Sequence, residues 1–137
     1  MRLIIDTNII LSALIKQGTT RSILTNPQIE FYIADFSIQE IKKYEQLIIK
    51  KSGLKEEEIN LLLGIIMSNI QVVNKIQLKP KLNEAFQIMH LIDPKDSPIL
   101  ACALAIPNEG IWSKDKHFKK QDKIKVYNTK ELLIELK

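Results

Sequence analysis

Short runs of consecutive apolar residues alternate along the chain with longer stretches in which apolar residues recur at helical spacing. A short run that is apolar at every position indicates a strand buried on both faces, as in a parallel sheet. Residues 3–5 form such a run and predict the first strand. Four further short runs of β-type residues predict strands over 31–33, 72–73, 110–112 and 124–127.

The segments between these runs have the spacing of helices. Leu82, Ala85, Phe86 and Met89 recur at i, i+3, i+4 and i+7, which is typical of a helix with one face on the core. Further helices are predicted at about 8–16, 20–26, 38–51 (ending at Ser52-Gly53), 55–69, 97–106 and 129–136. Strands that alternate with helices predict an α/β fold with a mostly parallel sheet of about four to five strands.

The composition is consistent with this α/β fold and excludes several other classes of protein. A chain of 137 residues, 45% hydrophobic and 26% charged, predicts one domain over residues 1–137 and argues against intrinsic disorder. The single Cys102, which we expect in the core, excludes a disulfide framework and a thiolate zinc site within one chain. No apolar segment has the length of a membrane span, so we expect a soluble, cytoplasmic protein without membrane contact.

The net charge of +4 is concentrated near the C-terminus. Residues 113–137 contain 8 lysines and 4 acids, whereas the charges of residues 1–112 balance. A basic segment of this kind attracts phosphate backbones, and a solvated lysine-rich face accounts for it equally well.

Four carboxylates fall where a predicted strand meets the following helix or turn: Asp6, Glu40, Asp96 and Asp115. In parallel α/β sheets, ligands bind beyond the carboxyl ends of the strands, so all four would project toward one edge. Two carboxylates about 4 Å apart repel by roughly 4 kcal/mol near a protein surface, and protons or a divalent cation must offset that repulsion. Oxygen ligands favour Mg²⁺ or Mn²⁺ over Zn²⁺.

Each of these acids also has an ordinary structural interpretation. Ser37 and Glu40 have the spacing of a capping box, in which Glu40 would serve its own helix. Asp96, or Ser97 just before Pro98, could cap the next helix. The other two acids could be cap or turn residues. The argument for a metal site therefore rests on the four acids together.

Four motifs in this order resemble the PIN domain, a nuclease family that includes VapC-type toxins. They are Asp6-Thr7-Asn8, Glu40 within residues 37–41, Asp96 within residues 95–105, and Asp115 within residues 112–118. Together they span nearly the whole chain. The resemblance implies a three-layer α/β/α fold and a metal-dependent endoribonuclease, with the role of a toxin that pairs with an antitoxin as the natural expectation.

The resemblance also assigns residues and partners. It implies that Asp6, Glu40, Asp96 and Asp115 are both the catalytic and the metal-binding residues, with Mg²⁺ or Mn²⁺ as cofactor. Asn8 and Ser113 match the polar residues that support these acids, and Asp93 is a further acid found in one branch of the family. Implied partners are an RNA substrate, an antitoxin protein and, as in many relatives, a second copy of the chain.

The sequence departs from the family pattern at His117, where many relatives have another acid. We expect His117 to be an exposed polar residue, although it could contact the metal or phosphate, and His90 to lie at the core boundary. One alternative function is a catalytically inactive PIN-like module that binds RNA or protein. Another is a metal-dependent phosphatase or phospho-acceptor domain, which would need acids where this chain has Asn8 and Asn74.

Overall fold

Five strands form one parallel sheet in the computed structural model, which describes residues 1–137. The strands, in chain order, are β1 (Arg2–Ile5), β2 (Glu30–Ala34), β3 (Ile70–Val73), β4 (Gly110–Trp112) and β5 (Val126–Tyr127). Their spatial order is β3-β2-β1-β4-β5, and every pair of neighbours runs parallel. The predicted parallel α/β fold is therefore confirmed, with β1 at the centre of the sheet.

Eight α-helices connect and cover the strands. They are α1 (Thr7–Ile15), α2 (Thr19–Leu24), α3 (Asp35–Lys43), α4 (Glu45–Ser52), α5 (Glu56–Met67), α6 (Lys75–Met89), α7 (Ser97–Ala105) and α8 (Thr129–Glu135). Two short 3₁₀ helices, Pro94–Asp96 and Lys116–Lys120, precede α7 and follow β4. None of the helices combines the length and hydrophobicity that crossing a bilayer requires.

The two faces of the sheet bury separate cores, because successive side chains of a strand point to opposite faces. Leu3 and Ile5 of β1 pack in a core with residues of α1, α4 and α5. Ile4 packs on the other face with residues of α6 and α7, including the fully buried Cys102, which confirms the core position expected for this cysteine. The result is the expected three-layer α/β/α arrangement.

The helix predicted over residues 38–51 is wrong in detail, because the structure has two helices that meet at Tyr44. The backbone N–H of Tyr44 is shared between the carbonyl oxygens of Glu40, at 3.3 Å, and Ile41, at 3.2 Å, and its ψ of 10° lies outside the helical range. Buried isoleucines keep helical spacing across this bend, so the apolar pattern does not reveal it. The predicted end at Gly53 is confirmed by its left-handed conformation.

The capping box proposed for Ser37 and Glu40 is also wrong. Helix α3 begins at Asp35, directly after β2, and Ala34 occupies the N-cap position. Ser37 therefore lies inside the first turn, and Glu40 lies in the second turn rather than the first.

The core stripe predicted for α6 is correct only in part. Ala85 and Met89 are fully buried, but Phe86 is 47% exposed and stacks on His90 at a centroid distance of 5.6 Å. His90, expected at the core boundary, is exposed. The buried side of α6 runs through Leu78, Ala85 and Met89, and this direction turns Phe86 toward solvent.

Candidate active site

The carboxyl ends of β1 and β4 place Asp6 beside Ser113. Ile5 is paired with Trp112, and the backbone N–H of Asp6 donates to the Trp112 carbonyl oxygen at 3.1 Å. Ser113 Oγ donates to Asp6 Oδ2 at 2.7 Å and accepts from the backbone N–H of Asp115 at 2.9 Å. One buried hydroxyl therefore holds Asp6 and the chain at Asp115 in a defined relative position.

Four side chains form a close group at this edge of the sheet, which we call the acidic cluster: Asp93, Asp96, Asp115 and His117. One carboxylate oxygen or ring nitrogen from each lies within 4.8 Å of all the others. The ring of His117 contributes Nδ1, which is 3.1 Å from Asp115 Oδ1 and 3.7 Å from Asp93 Oδ2. Although half exposed, His117 thus belongs to the cluster.

Local turns set the position of each acid in the cluster. Asp93 accepts from the backbone N–H of Lys95 at 3.2 Å and begins the 3₁₀ helix that ends at Asp96. Asp96 is the N-cap residue of α7, although its side chain makes no capping hydrogen bond. Asp115 accepts from the backbone N–H of His117 at 2.8 Å at the start of the second 3₁₀ helix.

Electrostatic repulsion and burial act together on two of these carboxyls. Desolvation, together with the charges of Asp6, Asp93, Asp115 and Glu40, raises the pKa of Asp96 to about 8. Desolvation also raises the pKa of Asp6, against the lowering effect of the Ser113 hydrogen bond and the backbone amide of Asn8. Asp6 is therefore electrostatically part of the same site, although it stands outside the closest group.

The acidic cluster fits a divalent cation. Asp96 Oδ2 is buried and has no hydrogen-bond partner, and the buried His117 Nδ1 makes no hydrogen bond although Asp115 Oδ1 lies 3.1 Å away. A buried ionised oxygen without a partner is costly, and a cation would satisfy it. The three carboxylates of the cluster suit Mg²⁺ or Mn²⁺, whereas the imidazole of His117 is a better ligand for a transition metal such as Mn²⁺ than for Mg²⁺. Cys102, the only thiol, is buried in the core.

Glu40 stands slightly apart from the other predicted acids. Its charge contributes to the raised pKa values of Asp6 and Asp96, yet it is not in the acidic cluster. It lines a cleft next to the cluster together with Lys95 and makes no ion pair or side-chain hydrogen bond. Asn8, predicted to support the acids through its side chain, is exposed and its side chain bonds to no other residue.

Three buried hydroxyls near these acids were not predicted as site residues. Thr7 Oγ1, Ser37 Oγ and Ser97 Oγ are all buried without a hydrogen-bond partner. Thr7 directly follows Asp6, and Ser97 directly follows Asp96. An acid followed by a hydroxyl residue at the start of a helix is therefore the sequence pattern that could have predicted these two residues as part of the site.

Comparison with known proteins agrees with this geometry. Residues 4–137 match the family model of the PIN domain. No curated protein matches the chain.

Proposed function

Because the chain belongs to the PIN domain family, whose members are generally metal-dependent nucleases, we propose that it is an endoribonuclease that hydrolyses RNA phosphodiesters with Mg²⁺ or Mn²⁺. The observation that carries the proposal is the partnerless buried oxygen of Asp96 inside the acidic cluster. A cluster of this kind is costly to maintain without a cation, and strongly perturbed carboxyls are common at functional sites.

The residues divide into four roles: holding the cation, positioning a ligand, orienting the attacking water and binding the flanking phosphates. Asp6, Asp96 and Asp115 would hold the cation, together with Asp93 and His117. When bound, such a cation neutralises charge at the reacting phosphate and lowers the pKa of a water molecule. Ser113 keeps the Asp6 carboxylate in place through its 2.7 Å hydrogen bond.

Glu40 is suited to orient the attacking water. Because it makes no ion pair and no side-chain hydrogen bond, its carboxylate is available to accept a proton at the rim of the site. Its position in the second turn of α3 brings its charge to bear on both Asp6 and Asp96. Lysines adjacent to the acids in sequence, Lys95, Lys114 and Lys116, can bind the flanking phosphates.

The biological role that we propose is that of a cytoplasmic toxin held inactive by an antitoxin. A partner segment with an arginine or lysine side chain would complement the acidic cluster through charge-assisted hydrogen bonds. Pairing with a second copy of the chain is a further proposal. Co-purification with the product of a neighbouring small gene, together with loss of RNA cleavage in the complex, tests the antitoxin; sedimentation of the isolated chain tests the dimer.

The decisive experiment is cleavage of a generic single-stranded RNA in Mg²⁺, Mn²⁺ or EDTA. Wild type is compared with Asp96→Asn and with Asp122→Asn, an exposed acid outside the cluster, all purified in the same way. We expect metal-dependent cleavage that Asp96→Asn abolishes and Asp122→Asn retains. Equal, EDTA-resistant cleavage by all three would indicate a contaminating nuclease. RNA binding without cleavage would favour the inactive binding module.

The phospho-acceptor alternative has less support in the structure. Strand β3 ends at Val73, and the next residue, Asn74, caps α6 by accepting from the backbone N–H of Gln77 at 3.0 Å. No carboxylate stands at that strand end. Failure to react with acetyl phosphate would agree with this assignment.

A further inference from the structure

A cleft of about 420 Å³ is lined in part by Lys95 and Pro98, which flank Asp96 and Ser97 in the chain. Its lining residues are Phe36, Gln39, Glu40, Lys43, Tyr44, Lys95 and Pro98. Two of these residues place the cleft near the acidic cluster. The charge of Glu40 raises the pKa of Asp96, and Lys95 directly precedes Asp96 in the chain. Any group bound in this cleft would therefore lie next to the reacting phosphate of the proposed nuclease.

Two aromatic rings line the cleft. Tyr44 is 43% exposed, stands at the bend between α3 and α4, and its hydroxyl makes no hydrogen bond. Phe36 is partly buried, and Lys75 Nζ lies 5.5 Å from the centre of its ring. The Tyr44 ring, which is exposed and has no polar partner, offers a flat surface of the kind that an unpaired nucleobase stacks on, and Phe36 adds apolar lining to the same cleft.

Uncompensated positive charges stand beside the rings. Lys43 and Lys95 are both exposed and neither forms an ion pair, although several carboxylates lie nearby. Free ammonium groups next to a cluster of acids reduce the repulsion that an approaching polyanion would meet.

A second cleft on the molecule is lined by lysines and hydroxyl residues but lacks the aromatic rings of the cleft with Tyr44. It is about 490 Å³ in volume and is lined by Lys16, Lys114, two threonines and a serine, without any aromatic residue. Lys114 Nζ donates to Ser12 Oγ there at 2.8 Å. Such a lining can hold a phosphate backbone, but only the cleft with Tyr44 combines cations with stacking surfaces.

We propose that the cleft of Phe36 and Tyr44 is a nucleobase subsite. One unpaired base of the substrate stacks on these rings, and Lys43 and Lys95 bind the phosphates on either side of it. The subsite rests on the proposed nuclease function and adds to it a requirement for a flipped-out or single-stranded nucleotide beside the scissile bond. A paired base is not accessible to these rings, so duplex RNA is discriminated against at this point.

The test measures RNA binding in EDTA, so that cleavage plays no part. Fluorescence anisotropy gives the Kd of a fluorescein-labelled single-stranded RNA for wild type, Tyr44→Leu and Tyr44→Phe. Leu47→Ala is the matched control, since Leu47 lies in α4 with 42% exposure but does not line the cleft. Circular dichroism verifies that each variant is folded.

We expect Tyr44→Leu to weaken binding by about 5- to 100-fold, as the loss of a base–aromatic stack does. Tyr44→Phe and Leu47→Ala should bind as wild type does. An abasic nucleotide moved stepwise along the RNA should weaken binding to wild type at one position and have no such effect on Tyr44→Leu.

Equal binding by Tyr44→Leu and wild type, or an abasic scan without a sensitive position, would overturn the subsite. Tight binding that is insensitive to Tyr44 but lost in Lys16→Gln would assign the RNA to the other cleft. These outcomes are separate from the cleavage assay. A protein that binds RNA through Tyr44 without cutting it would retain the subsite and refute the nuclease.

Discussion

Replacing Asp96 by asparagine should stabilise the protein in the absence of metal. The folded protein holds the Asp96 carboxyl among other acids, with Oδ2 buried and unpartnered, and its pKa is raised from 3.8 to about 8. Asparagine keeps the size and polarity of the side chain and removes the charge. The ionised side chain of Asp96, which we place in the active site, therefore destabilises the folded protein relative to a neutral side chain of the same size.

The sign and size of the effect follow from the two pKa values. Between pH 3.8 and about 8 the folded protein binds a proton at Asp96 that the unfolded chain has released, so the free energy of unfolding falls as the pH rises. At 1.36 kcal/mol per pKa unit the full difference would be roughly 6 kcal/mol. Because Asp96 is only partly buried, screening by solvent reduces this to about 1–2 kcal/mol.

Urea denaturation in EDTA measures this difference directly. We expect Asp96→Asn to exceed wild type in stability by about 1–2 kcal/mol near pH 8. The advantage should become small near pH 4, where the carboxyl is protonated in the folded protein and about half protonated in the unfolded chain. Asp122→Asn, at an exposed site, should match wild type at both pH values. Saturating Mn²⁺ should stabilise wild type and Asp122→Asn by about 2.7 kcal/mol at a hundredfold excess over Kd, and should stabilise Asp96→Asn much less.

Two results would refute this reasoning. If Asp96→Asn were less stable than wild type in EDTA near pH 8, the carboxylate would be making a favourable contact that the structure lacks. If the difference between the two proteins did not change between pH 4 and pH 8, the effect would not arise from ionisation of Asp96.

Three other substitutions test the site, the sheet and helix α5 in turn. Ser113→Ala should lower kcat/KM by about tenfold and move the acidic limb of the pH–rate profile upward, because losing this hydrogen bond raises the pKa of Asp6 further. Gly110→Ala should destabilise the protein by about 2–4 kcal/mol in urea denaturation, since its φ is 151° and a Cβ would lie 2.7 Å from the Lys125 carbonyl oxygen. Gly64→Ala, in α5 with open space around it, should instead stabilise by about 0.5–1 kcal/mol.

Strands β1 and β4 could be predicted because each is short and buried on both faces, whereas β3, in which Gln71 and Val72 are exposed, was predicted only over residues 72–73. The runs 3–5 and 110–112 are apolar throughout, and a run of three residues is too short to be an α-helix. Strands β1 and β4 are neighbours in the sheet, and their pairing brings Asp6 to Ser113. The bend at Tyr44 escaped prediction because hydrophobic periodicity reports which face is buried and is insensitive to a change of axis between two helices.

The acids at the strand ends could be predicted because the carboxyl ends of parallel strands lie at one edge of the sheet. The membership of the acidic cluster could not be predicted. This membership depends on two short 3₁₀ helices, which bring Asp93 and His117 to within 4.8 Å of Asp96 and Asp115, whereas Asp6 and Glu40 stay outside the cluster. Turns of three to five residues have no periodicity to detect. A histidine two residues after Asp115 was visible in the sequence, yet its contact with Asp93 arises only from the fold.

The structural and functional interpretations of these acids are compatible with each other, because a carboxylate has two oxygens. Asp93 accepts the backbone N–H of Lys95 with Oδ1, which leaves Oδ2 to face the cluster. Asp6 accepts the Ser113 hydroxyl with Oδ2, which leaves Oδ1 available as a ligand. Asp96 Oδ2 is buried without any partner, so this oxygen is not held by the local fold. Turn and hydroxyl hydrogen bonds thus orient the acids, while their remaining oxygens create the charge density that a cation would neutralise.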